Sequence, residues 1–446
     1  MQTLDLRGKV GKFPLADLGV QRPSFDSSSL EETVKHILQE VKIKGDDAVR
    51  SFTLQFDKAE INDLRVSDIE IEESEKLLSD DLKQAILTAK NNIEKFHQGQ
   101  IGKKESVETM PGVHCWRKAV AIENIGLYIP GGTAPLFSSI LMLGVPAKLA
   151  GCRQIVLCSP PDTSGKLSAA ILFTAKLVGV TKIFRVGGVQ AIAAMAYGTE
   201  SIPKVYKIFG PGNQYVTCAK QLVQKEGVAI DLPAGPSEVA VYADETAHAS
   251  FVASDLLSQA EHGSDSQVLL VAHDQLLIDE VLSELDKQLV QLSRKNIAIR
   301  ALENSKIILV KNDKEAIDVL NEYAPEHLIL ACSNADDLAE KVVNAGSVFL
   351  GNYSPESAGD YASGTNHTLP TNGYAKGYSG VSVDSFIKKI TFQKITKTGL
   401  KNIGRTVELM AEAEGLLAHK NSISIRLNTF EPPGRQEPRN RPGPTE

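Results

Sequence analysis

Cysteine, histidine and excess basic charge are all scarce in this chain, and each shortage narrows what it can do. The 446 residues hold five cysteines, Cys115, Cys152, Cys158, Cys218 and Cys332. They are odd in number, scattered and without a Cys-x-x-Cys pair, which argues for free packing thiols in a reducing cytosol and against a disulfide framework. Lysine and arginine total 48 against 55 acidic residues, a formal net charge of -7. Nucleic acid and anionic membrane surfaces both call for clustered basic residues, so small-molecule substrates fit better and neither partner is expected. The amino terminus, Met1 to Val10, lacks the basic start and apolar core of a signal peptide. The one long uncharged run, Asn124 to Ala147, is interrupted by Pro130, Pro135 and Pro146, which a membrane-spanning helix would not tolerate. A cytoplasmic location is expected.

What is present is enough apolar material, 42% of the residues, for more than one core in a chain of this length. Residues Ser29 to Lys44 carry apolar positions Val34, Ile37, Leu38 and Val41 at helical spacing, and Glu73 to His97 reads as a second amphipathic helix. From Ile125 short apolar runs alternate with helical segments: Ile125 to Ile129, Ile155 to Cys158, Lys182 to Val186, Val205 to Phe209 and Val228 to Leu232. The alternation resumes with Glu238 to Tyr242, Gln267 to Ala272, Lys306 to Val310, His327 to Ala331 and Ser347 to Leu350. Strands of this length alternating with helices predict α/β units built on parallel sheets. After about Gly380 the pattern stops. A helix from Gly404 to His419 and a last strand, Ser422 to Leu427, are expected there, in a segment too small for a core of its own. The Pro-, Arg- and Glu-rich stretch from Glu431 to Glu446 is expected to be disordered.

Three glycine turns follow predicted strands: Pro130-Gly131-Gly132-Thr133, Gly187-Gly188-Val189-Gln190 and Gly210-Pro211-Gly212-Asn213. Such turns leave backbone N–H groups free at helix starts, where an anionic ligand binds, although each is also compatible with an ordinary tight turn. The third carries Tyr215 where a dinucleotide fingerprint has its last glycine. Only nine histidines occur, yet three sit beside carboxylates: Gln259-Ala260-Glu261-His262, Ala324-Pro325-Glu326-His327 and Glu414 with His419. Gln259 and His262 share one face of a helix predicted over Thr246 to His262 and could reach one ion; as a surface pair they would mean nothing. Glu326 and His327 open a strand, pointing to different sides, and could serve two proton transfers or merely edge the sheet. Asp360 lies in a Gly/Ser-rich loop with His367, a competing ligand, close behind. Nitrogen and oxygen donors without thiolate suit catalytic zinc rather than structural zinc.

Taken in order, Val186-Gly187-Gly188-Val189-Gln190-Ala191, Gly210-Pro211-Gly212-Asn213, Asp231-Leu232-Pro233-Ala234-Gly235-Pro236-Ser237-Glu238, Gln259-Ala260-Glu261-His262, Ala324-Pro325-Glu326-His327 and Gly359-Asp360-Tyr361-Ala362-Ser363-Gly364-Thr365-Asn366-His367 resemble the histidinol dehydrogenase family. The resemblance runs from about residue 25 to Leu427, leaving the Pro-rich tail outside it. It implies a zinc- and NAD-dependent, four-electron oxidation of L-histidinol to L-histidine through an enzyme-held aldehyde, the last steps of histidine biosynthesis. Gln259, His262, Asp360 and His419 match zinc ligands, one ion per subunit, with His419 given across a homodimer whose active sites are shared. Glu326 and His327 match the catalytic acid–base pair. Ser237, Gln259, His262, His327, Asp360, Glu414 and His419 match substrate contacts, and Tyr128, Gln190 and Asn213 match NAD contacts. The implied fold is two incomplete Rossmann-like parallel-sheet units with a small C-terminal arm swapped between subunits. Its parts are an extension over 1–25, a discontinuous metal and catalytic domain over 26–125 and 238–380, an NAD domain over 126–237, an arm over 381–430 and the tail 431–446. The competing readings are a relative oxidising another amino alcohol or polyol, a zinc-dependent hydrolase, and a non-catalytic relative. A hydrolase has no use for a dinucleotide crevice, and the intact Glu326, His327 and metal positions argue against decay.

Overall fold

A computed structural model describes residues 1–12, 14–22, 28–102, 105–131, 135–233 and 235–429. Gly132 and Thr133 of the first glycine turn, Ala234 and the tail 431–446 lie outside the described residues. The chain forms two compact units, residues 1–101 with 121–387, and residues 102–120 with 388–446. In chain order the strands are β1 (Gln2–Asp5), β2 (Ser106–Met110), β3 (Val113–Ala121), β4 (Asn124–Tyr128), β5 (Gln154–Ser159), β6 (Lys182–Arg185), β7 (Lys207–Phe209), β8 (Ala229–Ile230), β9 (Glu238–Ala243), β10 (Gln267–Ala272), β11 (Lys306–Leu309), β12 (His327–Ala331), β13 (Ser347–Leu350) and β14 (Ile387–Ile395).

The larger unit holds two parallel sheets. One has the order β6-β5-β4-β7-β8 and the other β1-β11-β10-β9-β12-β13. Numbered from its own first strand, each reads 3-2-1-4-5, the order of a dinucleotide-binding sheet that lacks its sixth strand, with β1 added at the edge of the second. The strands are apolar on both faces: β9 and β10 are buried along their whole lengths, as sheets covered by helices on both sides require. The helix Phe137–Ala150 is buried without interruption from Ser138 to Ala147, which accounts for the uncharged run in the sequence.

The helices Ser28–Lys44 and Asp46–Asp57 pack on Gly188–Tyr197, and Asp80–Gln98 packs on Phe137–Ala150. The helices of residues 28–98 thus pack on helices of the five-stranded sheet. Their apolar stripes, Val34, Ile37, Leu38 and Val41 among them, join one core with Phe184, Val189 and Ile192. The predicted helix over Glu73 to His97 is divided, because Ser79 accepts a bond from the N–H of Leu82 at 3.3 Å and so starts a new helix.

The smaller unit has the sheet order β14-β3-β2 and the helices Lys397–Ala413 and Leu417–Asn428. The latter replaces the predicted strand Ser422 to Leu427. Alternating Ser and Ile imitate a strand, but Ser422 and Ser424 turn their hydroxyls back to the carbonyls of His419 and Lys420, and Leu427 packs on Gly404 of the neighbouring helix. The helix predicted to run on to His419 is broken at Glu414–Leu416, where Gly415 takes φ +73°.

Candidate active site

Glu326 and His327 are set at the amino end of β12. The preceding helix, Asp313–Tyr323, is stopped by Ala324 in the left-handed region, φ +54°, a costly conformation for a residue with a Cβ and one characteristic of functional sites. Pro325 then directs the chain into the strand. Both side chains are buried, at 6% and 4% exposure. The N–H of Glu238, first residue of the adjacent β9, donates to Glu326 Oε2 at 2.9 Å, and the carbonyl of Glu238 lies 3.2 Å from His327 Nδ1. A carbonyl only accepts, so Nδ1 carries a ring proton, and Nε2 is the nitrogen whose proton can be exchanged with a substrate. That Nε2 lies 3.4 Å from Asp360 Oδ1.

Asp360 comes from the short helix Glu356–Tyr361, whose first residue, Glu356, has Oε1 3.8 Å from His327 Nδ1. Burial raises Glu326 to about 8, against the pull of His327 and the Glu238 N–H. Burial likewise raises Glu356 to about 8. Burial would depress His327, but Glu356, Glu326 and Asp360 outweigh it and push the imidazole up to about 10. Three carboxyl groups around one ring make a site short of positive charge. Among the described residues, His327, Glu356 and Asp360 form a group compact enough to hold a cation, with ligand atoms within 4.8 Å of one another.

Gln259 closes the helix Ala249–Ala260, which packs against Glu356–Tyr361. It is wholly buried, and neither atom of its amide has a hydrogen-bond partner. A buried amide left unpaired costs about 1–3 kcal/mol, so it calls for an additional ligand. His262 follows that helix. It is exposed, and desolvation by its neighbours draws it below the ordinary imidazole range while Asp360 draws it up and His327 and His367 draw it down. His367 has both ring nitrogens engaged, Nδ1 with the Asp360 carbonyl at 2.9 Å and Nε2 with Ser139 Oγ at 3.2 Å. Those contacts tie the Asp360 loop to the first turn of the helix following β4. Ser237 immediately precedes Glu238. Glu414 and His419 belong to the smaller unit, where both are exposed.

The described residues of the glycine turns follow β4, β6 and β7, and the strand order reverses between β4 and β7, the position at which such sheets bind ligands. Tyr128 ends β4, and its hydroxyl accepts from the Gly188 N–H at 3.1 Å. Gln190, two residues on, is buried with an unpartnered amide. Asn213 caps the helix Gln214–Lys225 through Oδ1, 3.1 Å from the N–H of Tyr215. Gly210, at φ +125°, crosses so close to the Tyr128 carbonyl that a Cβ would come within 1.9 Å. Its N–H donates to Asp231 Oδ2 at 2.7 Å and its carbonyl accepts from Lys220 Nζ at 2.9 Å, while Lys220 and Asp231 form a buried ion pair. The six-stranded sheet has its own reversal point, but there Asp244 fills the gap by accepting from Ser333 and Thr246.

Glu356, Lys220 and Asp231 were not singled out from the sequence. Glu356 is four residues before Asp360, one helical turn away on the same face, which was the available signal.

Paired parallel sheets of dinucleotide-binding order, a crevice with an orphaned amide, and an acid–imidazole pair beside nitrogen and oxygen donors define an α/β oxidoreductase. The histidinol dehydrogenase family profile matches residues 20–427. A histidinol dehydrogenase of Bacteroides thetaiotaomicron is 62% identical over 413 residues, covering 92% of this chain and 96% of that one. That of Salmonella typhimurium is 50% identical over 412 residues, covering 92% and 94%. The crystal structure of histidinol dehydrogenase from Elizabethkingia anophelis superposes with a TM-score of 0.93 at 56% identity, over 96% of this chain and 98% of that one. The chain belongs to the histidinol dehydrogenase family, NAD-dependent oxidoreductases of histidine biosynthesis. Among the described residues no helix is long and apolar enough to cross a membrane.

Proposed function

We propose that this chain carries L-histidinol through both oxidations to L-histidine at one site, with Glu326 and His327 as its acid–base pair and zinc held by Gln259, His262, Asp360 and His419 of the partner subunit. The observation that carries this reading is the buried Glu326–His327 pair beside the orphaned Gln259 amide. Zinc at those nitrogen and oxygen donors would offset the carboxylates around His327 and fix the amine and imidazole nitrogens of the substrate.

The chain's own groups then divide the work. In the first oxidation His327 Nε2 takes the carbinol O–H proton while the carbinol hydrogen leaves with its electron pair for the nicotinamide. Water next adds to the aldehyde carbon and Glu326 takes its proton, a task suited to a carboxyl raised toward neutrality. In the second oxidation the carbon-bound hydrogen of the hydrate leaves with its electron pair for a second NAD, and the remaining O–H proton goes to His327, which has by then released its first proton to solvent, leaving the carboxylate of histidine. Ser237, Glu414 and His419 hold the substrate; Tyr128, Gln190 and Asn213 hold NAD. The homodimer, its swapped arm and the cytoplasmic location belong to the same reading. No nucleic acid or membrane takes part in it.

The test compares the two half-reactions. Glu326→Gln should slow oxidation of histidinal at least tenfold more than that of histidinol, because water is activated only there, whereas His327→Ala should damage both by about 10²–10⁴-fold. Equal losses in both half-reactions for Glu326→Gln would contradict the assignment.

A further inference from the structure

Glu238 touches both members of the proposed acid–base pair, yet only through its backbone. Its N–H donates to Glu326 Oε2 and its carbonyl accepts from His327 Nδ1. Whatever fixes this one residue therefore fixes the carboxylate and selects the imidazole tautomer together.

The side chain of Glu238 is 2% exposed and meets Arg22 in a two-pronged pair, Nε to Oε1 at 2.5 Å and Nη2 to Oε2 at 3.0 Å. Arg22 lies far from the site in sequence, in the segment before the first helix. The same Nη2 donates to the Tyr323 carbonyl at 2.7 Å, and the guanidinium lies 3.9 Å over the centre of the Tyr323 ring. Tyr323 and Ala324 form the strained turn that delivers Glu326 and His327. The hydroxyl of Tyr323 donates to Gln267 Oε1 at 2.7 Å, and Gln267 Nε2 donates back to the Gln21 carbonyl at 3.0 Å. The ring of contacts is closed: Arg22 holds β9 on one side and the turn into β12 on the other, and Gln267 anchors the segment that carries Arg22.

A buried ion pair is a poor source of stability, since apolar residues of similar volume often do as well or better. The fork geometry of arginine does supply orientation, because one guanidinium fixes a carboxylate and a carbonyl at set angles. We infer that Arg22 and Glu238 are positioning residues: their clamp sets the Glu238 peptide groups, and through them the orientation of Glu326 and the tautomer of His327. This rests on the roles proposed above for Glu326 and His327.

The test uses full-length enzyme with NAD and zinc. Arg22→Lys keeps the charge and loses the fork. It should lower kcat for histidinol oxidation by about 10–100-fold, the usual cost of losing a group that orients a functional one, with KM for histidinol and NAD within twofold and zinc content unchanged. The double variant Arg22→Met/Glu238→Leu replaces the pair by apolar groups; its melting temperature should match or exceed that of wild type while kcat stays low. Unchanged kcat in Arg22→Lys, a loss confined to KM, or recovery of kcat with stability in the double variant would overturn the inference. Glu326→Gln and His327→Ala measured alongside separate the two readings: if those variants are fully active, the acid–base assignment has failed; if they are impaired and Arg22→Lys is not, only the clamp has.

Discussion

Gln259 is the side chain with the most to explain. Its amide is fully buried and unpaired, which in an apolar interior is a standing penalty that a metal or substrate contact would remove. Replacing it by leucine, of similar size, should leave the folded protein at least as stable, because the unsatisfied amide disappears, while zinc affinity falls at least tenfold. Zinc retained on dialysis against graded chelator, with thermal unfolding in parallel, measures both. Unaltered zinc retention would remove Gln259 from the ligand set. The Glu326–His327 pair, which the fold buries together, was visible in the sequence because histidine is scarce enough for an adjacent acid–imidazole pair to stand out. Glu356 was hidden for the opposite reason: an acidic residue at a helix start is ordinary favourable charge placement. Arg22 was out of reach for a different cause, since its partner lies 216 residues away and local patterns say nothing about contacts at that separation.

Strands and helices were read more faithfully where burial on both faces leaves continuous apolar runs, as in β9, β10 and β12, than where polar residues alternate. The helix Leu417–Asn428 was missed because its neighbour helix, not its own period, decides its state. The order of the strands was not legible, since pairing depends on crossovers that the sequence pattern does not mark. Among the elements at the nucleotide end, the turn after β7 depends on Lys220 and Asp231, which grip the two peptide groups of Gly210 from below. Lys220→Met would leave the buried Asp231 without its counter-ion, at a cost of about 3–5 kcal/mol. The expected result is a clear fall in melting temperature and a rise in KM for NAD that exceeds any change in KM for histidinol. A variant with normal stability and normal NAD binding would show that the turn holds itself.

For the molecule as a whole, the small C-terminal unit is the part whose role the chain alone does not supply. Leu409 and Met410 of its helix Lys397–Ala413, and Leu416, Leu417 and Ile425 in and before the helix Leu417–Asn428, are large apolar side chains left exposed, and such residues, where they adjoin, mark interaction surfaces. With His419 donated across a dimer as proposed, His262→Ala and His419→Ala are each nearly inactive, but a refolded mixture is not. In a mixed dimer one site collects both lesions and the other none, so random pairing restores roughly a quarter of wild-type activity. No recovery, with mixed dimers verified by a tag on one variant, would mean that each site uses its own His419.

The central claim is that one site performs both oxidations without letting the aldehyde go. It is tested most directly by the yield of NADH per molecule of L-histidinol, run to completion with limiting substrate, excess NAD and an aldehyde trap in solution. Two NADH for each histidinol, histidine as the product and no trapped aldehyde are expected. One NADH, with the aldehyde captured by the trap, would contradict it.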